Sequence, residues 1–185
     1  MRLLRAWVPC LLLVTGFVSG PARAATPSSA VSLVQDEVLS ASSIHARLLA
    51  CLARGDIVGA IAMYEAETGH EAPVWLRDLQ VAYSAANQVA GKCQQVARII
   101  HTAFTKLGQT PQYVSFKANG GEQYVVFELA NGKDAPVSRT GYHVAVRFGD
   151  LIYDAYTGPL GMKLSDYVSR LHARQGVSWK VVSAP

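Results

Sequence analysis

Cysteine is scarce in this chain of 185 residues, and the few that occur limit the interpretations of its chemistry. Of the three cysteines, Cys10 lies in the leading apolar segment, so Cys51 and Cys93 remain for the folded protein. Two cysteines in an exported protein commonly form a disulfide, whereas a single cysteine with a histidine elsewhere in the chain is a candidate nucleophile. The sequence leaves both alternatives open.

Long apolar runs are also missing. The apolar stretch at residues 6–20 is shorter than the roughly 20 residues that a membrane-spanning helix needs. Two arginines precede it and Ala-Arg-Ala follows at residues 22–24, a pattern typical of a signal peptide that is cleaved before Ala25. We therefore expect residues 1–24 to be removed and the mature protein to be exported, either periplasmic or secreted, with no membrane contact after cleavage.

The chain carries little net charge once this segment is set aside. Residues 1–24 contain three of the 17 basic residues and none of the 13 acidic ones, so the remaining residues are nearly neutral. A nonspecific nucleic-acid binder needs a sustained basic surface, so we do not expect nucleic acid as a partner. The mature length, about 160 residues, suits one ordinary domain with its own core.

Clustered metal ligands and phosphate-binding loops are absent from the sequence as well. The histidines other than His143 have no second ligand at helical or ribbon spacing: His45, His70, His101 and His172. The glycine-containing segments at residues 119–122 and 157–162 are typical of turns and do not match a nucleotide fingerprint. We therefore predict neither a metal site nor a cofactor.

Residues 25–90 have a helical pattern. Apolar residues recur at helical spacing in residues 42–55, and Asp56 is a suitable N-cap for a second helix that ends at Gly69. Pro73 suits the first turn of a third helix, predicted at residues 72–90. This segment could form a substrate-binding lobe, an inhibitory pro-segment or part of the fold, and the sequence does not choose among them.

Residues 91–185 change in character, from one amphipathic helix to a series of strands. The predicted elements are a helix at 93–107, strands at 112–118 and 123–130, a loop at 131–140, a hairpin at 141–154, a helix at 163–174 and a strand at 177–183. Helices first and antiparallel strands afterwards predict the α+β class. The predicted organisation is a signal peptide, a helical segment at 25–90 and a second domain at 91–185.

The hairpin places a histidine and an aspartate on neighbouring strands. A turn at residues 149–150 puts Phe148 opposite Leu151. In that register His143 is the diagonal neighbour of Asp154 on one face of the sheet, because side chains alternate with a period of two. An imidazole and a carboxylate at such a diagonal can hydrogen-bond, so Asp154 would orient His143 as a base.

Cys93 is the nucleophile whose local setting suits this pair. At a helix N-terminus the unpaired N–H groups and the peptide dipoles stabilise a thiolate, and His143 as an imidazolium would lower the thiol pKa further. The N–H of Cys93 is a natural donor to an oxyanion. Each residue also has a structural interpretation: Cys93 as a small buried hydrophobe, His143 as a core histidine and Asp154 as a turn cap.

Three segments in this order resemble the papain-fold toxin domains of bacterial polymorphic toxin and effector systems: GKCQQVARIIHTAFTKLG, YHVAVRFGDLIYDAYTGPLGM and LSDYV. The likeness covers residues 91–185, and the family's Gly-x-Cys, histidine and aspartate motifs match at Cys93, His143 and Asp154. The resemblance implies a papain-like domain in which a catalytic helix packs on an antiparallel sheet. It makes Cys93 the nucleophile, His143 the general base and then acid, and Asp154 the orienting residue.

Papain relatives also place an oxyanion-hole glutamine shortly before the cysteine, for which Gln88 and Asn87 are the candidates. The predicted function is an exported papain-like cysteine hydrolase, of peptidase, deamidase or acyl-transfer type, that acts on protein or peptide amides as a secreted effector or toxin. An immunity or inhibitor protein is a further expected partner. The alternatives are a periplasmic peptidoglycan peptide hydrolase of the cell-wall amidase type and a non-catalytic binding module on the same scaffold.

Overall fold

The computed structural model describes the backbone of residues 29–185 and the side chains of residues 41–185. The predicted signal peptide lies outside the described residues. Within them the chain forms five α-helices: α1 (Ser29–Ala53), α2 (Ile57–Thr68), α3 (Val74–Ala82), α4 (Cys93–Lys106) and α5 (Leu164–Ser169). In this part of the chain, none of the helices has the length and apolar character that crossing a bilayer demands.

The strands of residues 29–185 form two antiparallel sheets. They are β1 (Gln112–Ala118), β2 (Val125–Glu128), β3 (Asp134–Ser138), β4 (Tyr142–Phe148), β5 (Leu151–Tyr153), β6 (Met162–Lys163), β7 (Leu171–His172) and β8 (Val177–Val182). The larger sheet has the order β6-β5-β4-β1-β8 and the smaller one the order β3-β2-β7. The predicted α+β class is therefore confirmed.

Local capping explains most of the helix boundaries. The Asp56 side chain accepts a hydrogen bond of 2.8 Å from the N–H of Gly59, and α2 ends at Gly69 in a left-handed conformation. The third helix is shorter than predicted, because α3 ends at Ala82 and the prediction of helix to residue 90 is wrong. The Asn87 side chain folds back and donates to the carbonyl of Val81 at 2.8 Å, which stabilises a turn in place of further helix.

Strand pairing with β2 overrides two other local predictions. Residues 131–140 are not a loop throughout, because β3 pairs with β2 there, and its position at a sheet edge accommodates Pro136. The helix predicted at 163–174 stops at Ser169, because Leu171 and His172 pair with β2. The second error arises from a contact between residues that are distant in sequence, whereas β2 and β3 are neighbouring strands joined by a short turn.

Two hydrophobic clusters occupy the two faces of the larger sheet. The first joins α4 and strand β4 to the N-terminal helices, through buried residues such as Leu48, Ile57, Leu76, Ile100 and Val144. The second lies between the two sheets and includes Val114, Phe116, Phe127, Tyr167 and Leu171. Helices α1 to α3 thus share one core with α4, and this packing fixes the position at which α4 begins.

Candidate active site

Cys93 is the first residue of α4 and is half-buried. The preceding Lys92 provides no side-chain cap, so the N–H groups of the first helical turn remain available to an anion. Burial alone would raise the pKa of the Cys93 thiol, but its interactions with His143 and with the N–H groups of Val144 and Gln94 outweigh burial and lower it. The site therefore favours the thiolate.

His143 and Asp154 meet as the predicted register requires. Strands β4 and β5 pair with Phe148 opposite Leu151, which confirms that register, and Asp154 directly follows β5. His143 Nε2 lies 3.1 Å from Asp154 Oδ2. The two residues are only 1% and 2% exposed, so water does not weaken this interaction.

Tyr167 also hydrogen-bonds with His143 and Asp154, and the sequence did not predict this contact. Its hydroxyl donates to Asp154 Oδ2 at 2.5 Å and lies 2.8 Å from His143 Nε2, from which it can accept a hydrogen bond. The residue comes from α5 and is fully buried. A buried tyrosine needs a hydrogen-bond partner for its hydroxyl, but the residues next to Tyr167 in the sequence do not indicate which partner it has.

Asp154 is held in its ionised form by four donors. Oδ1 accepts the N–H groups of Tyr156 and Thr157 at 2.8 and 2.9 Å, while Oδ2 faces His143 and Tyr167. Burial would raise the pKa of this carboxyl, but the hydrogen bonds, with that of His143 first among them, lower it. A fixed negative charge therefore lies beside Nε2 of the imidazole.

The second ring nitrogen of His143 is left for the thiol. Nδ1 has no hydrogen-bond partner at ordinary distance among the described residues, and Cys93 is close enough for each group to shift the other's pKa. Burial would lower the pKa of His143, but the hydrogen bond with Asp154 and the interaction with Cys93 raise it to about 9. Both shifts favour the charged forms of the pair, a thiolate beside an imidazolium.

The two candidates for the oxyanion hole occupy different positions. The Gln88 side chain donates to the carbonyl of Ala155 at 2.9 Å, which uses one of its two N–H bonds. Asn87 donates to Val81 and lines a small cavity beside Cys93. The role of Gln88 stays a prediction, with its second N–H as the donor, and Asn87 is the candidate that borders the thiol.

Two cavities meet at Cys93. One holds about 10 Å³, room for roughly one water, and its walls include Val137, His143 and Tyr156. The other is an open groove of about 270 Å³ between residues 90–94 and 138–142. A substrate carbonyl can approach the thiol from the open groove, while His143 is shielded from bulk solvent by its burial.

Neither a metal site nor a disulfide is present in the described residues. None of their His, Cys, Asp and Glu side chains form a group of three or more suited to holding a metal ion. Cys51 and Cys93 are both free thiols. The disulfide that the sequence left open is therefore not formed between them, and Cys93 is available as a candidate nucleophile.

Comparison of the chain with protein-family models, with curated protein sequences and with solved structures gave no match. The function must therefore be inferred from the chemistry of the site. The site combines four groups: a thiol at a helix N-terminus, a buried imidazole, and a carboxylate and a phenol that together hold one ring nitrogen.

Proposed function

We propose that this chain is an exported papain-like cysteine hydrolase that acts on protein or peptide amides. The observation that carries the proposal is the buried imidazole of His143, which Asp154 holds through Nε2 while Nδ1 is left for the Cys93 thiol. A nucleophile, a base and a group that orients the base are the three parts of covalent acyl-transfer catalysis.

In the proposed first step, the Cys93 thiolate attacks the carbonyl carbon of an amide and a C–S bond forms. The carbonyl oxygen becomes an oxyanion, which the N–H of Cys93 and a side-chain amide of Gln88 or Asn87 would stabilise. His143 Nδ1–H then donates its proton to the departing nitrogen as the C–N bond breaks. The products of this step are an amine and a thioester on Cys93.

In the second step, His143 is neutral and acts as a general base. It accepts a proton from water through Nδ1 while the water oxygen attacks the thioester, and the C–S bond breaks to release a carboxylic acid and the thiolate. An amine or a hydroxyl in place of water would give transamidation or acyl transfer. Asp154 and Tyr167 keep Nε2 engaged in both steps, so Nδ1 carries the proton that moves.

The biological setting of the proposal follows from the sequence. Residues 1–24 would direct export, and the likeness of residues 91–185 to papain-fold toxin domains favours a secreted bacterial effector or toxin. Such a protein would act on a protein or peptide substrate and would be matched by an immunity or inhibitor protein.

The rate of Cys93 alkylation by iodoacetamide as a function of pH tests the proposal. We expect the mature protein to react rapidly at pH 6 and His143→Ala to react at least about tenfold more slowly there, because the imidazolium that stabilises the thiolate is lost. Mass spectrometry of proteolytic peptides locates the modification. Cys51 serves as an internal control, since its rate should not respond to the His143 substitution.

Two results would contradict the proposal. A wild-type rate that rises only above pH 8, as for an ordinary thiol, would favour a binding module with an inert cysteine. Equal rates at pH 6 in the wild type and His143→Ala would show that the two residues do not form a functional pair.

A further inference from the structure

The open groove at Cys93 continues across the face of the larger sheet. Tyr142 lines both this groove and a second cavity of about 630 Å³, whose walls also include Lys117, Lys180 and Trp179. We call the two together the cationic groove, which is lined by Ala90, Gly91, Cys93, Gln94, Ser138, Arg139, Thr140 and Tyr142 and continued by Ser115, Lys117, Ser178, Trp179 and Lys180.

Strand register gives the direction in which the groove leaves the thiol. Tyr142 of β4 pairs with Lys117 of β1, and Lys117 pairs with Ser178 of β8, so these three residues form a row across the sheet. Neighbouring strands lie about 4.8 Å apart, which puts Lys117 one strand beyond Tyr142. Lys180 lies on the same face of β8, two residues along from Ser178.

The charges along the cationic groove are all positive. Arg139 lies at its thiol end and Lys117 and Lys180 at its far end, and no acidic side chain is among its lining residues. Among the described residues these three cations form no ion pair, whereas Arg47 and Arg77, away from the site, each pair with a glutamate. The chain after residue 24 is nearly neutral, so this distribution is not the result of a generally basic protein.

We propose that the cationic groove binds an acidic peptide segment of the substrate. This inference rests on the proposed function, because the groove begins at the thiol that would attack the amide. An extended chain advances about 3.3 Å per residue, so carboxylates roughly two to five residues from the attacked carbonyl reach Lys117 and Lys180.

A peptide fits these observations better than a nucleic acid. The groove has three cations, whereas a nucleic-acid site needs a sustained basic surface. The thiol at the end of the groove reacts with acyl carbons, which a peptide supplies and a phosphodiester does not. The acidic side chains would fix the register of the substrate on the sheet.

Protection of Cys93 from iodoacetamide by a glutamate-rich peptide tests the inference. The control peptide has serine in place of each glutamate, and rates are measured at pH 6 and again at pH 8.5. At pH 8.5 any accessible thiol reacts, so protection can be measured even if Cys93 is not activated. A failure of the proposed function and a failure of this inference therefore give different results.

We expect the glutamate peptide to slow alkylation and the serine peptide to have no effect. Lys117→Gln and Lys180→Gln should each weaken protection about two- to fivefold, and 0.5 M salt should weaken it in the wild type. Lys106→Gln is the matched control, since Lys106 lies at the other end of α4, about 20 Å from Cys93.

Four outcomes would overturn the inference. The first is equal protection by the two peptides, and the second is no protection by either. The third is a loss in Lys106→Gln as large as that in Lys117→Gln. Protection by a single-stranded oligonucleotide that matches the glutamate peptide would equally contradict it, because the groove would then respond to charge alone.

Discussion

Replacing Asp154 with asparagine isolates the part of the mechanism that the structure defines best. The change removes one negative charge and keeps the shape of the side chain, so Oδ1 can still accept the N–H groups of Tyr156 and Thr157. The hydrogen bond with Asp154 is the largest of the influences that raise the pKa of His143 to about 9. Without the carboxylate, we expect that pKa to fall toward the ordinary value of 6.5 or below, since the residue remains buried.

The size of the effect follows from these two values. At pH 8 an imidazole with a pKa of about 9 is about 90% protonated, whereas one with a pKa of 6.5 is about 3% protonated. The imidazolium population at pH 8 should therefore fall about 30-fold, and the thiolate of Cys93 should lose its stabilising partner. At pH 7 the protonated fraction should fall from about 99% to about 24%, so alkylation of Cys93 should slow there as well, by a smaller factor than at pH 8.

Nuclear magnetic resonance of protein labelled at the histidine Cε1 position measures this titration directly. The signal of His143 is assigned by its loss in His143→Ala, and its midpoint is compared between the wild type and Asp154→Asn. A wild-type titration midpoint below pH 7, or the same midpoint in both proteins, would refute the assignment of Asp154 as the group that raises the pKa of His143.

Three further substitutions separate reactivity from stability. Tyr167→Phe should cost about 1–3 kcal/mol of unfolding free energy and shift the pH profile of Cys93 alkylation, because the buried hydrogen bond to Asp154 is lost. An unchanged pH profile would show that Tyr167 contributes packing alone. Leu76→Ala should cost about 2–5 kcal/mol in urea unfolding with the alkylation profile of the folded protein unchanged, and a changed profile would contradict a purely structural role. Gly141→Ala should lower the unfolding free energy more than the control Gly149→Ala, whose cost is about 1–2 kcal/mol. Both glycines have positive φ, but only at Gly141 would a Cβ meet a backbone carbonyl. Equal costs would argue against that contact.

The parts of the site that could be predicted from the sequence are those set by local rules. The amphipathic pattern after Gly91 gave α4 with Cys93 at its start, and the two-residue turn fixed the register that brings His143 and Asp154 together. Turn geometry determines which side chains share a face, so a single assumption about residues 149–150 was enough.

The parts that could not be predicted depend on packing between distant segments. Tyr167 reaches the site because α5 folds onto the second core, and nothing in its neighbours in sequence specifies that contact. The cationic groove joins the loop around Arg139 to strands β1 and β8, whose adjacency appears only in the sheet order. The helix predicted past Ser169 was wrong for the same reason, since pairing with β2 ends it, whereas the helix predicted past Ala82 ends at a local hydrogen bond from Asn87 to Val81.

The second sheet is connected to the reactivity of the thiol through Tyr167. Burying an imidazolium and a carboxylate costs several kcal/mol unless hydrogen bonds satisfy both, and Tyr167 supplies one of the bonds to Asp154. Its ring packs on Phe127 of β2, with the ring centroids 5.2 Å apart, and on Phe116 of β1 at 5.1 Å. A shift of β2 would therefore move the phenol, alter the charge balance at His143 and change the thiolate population of Cys93.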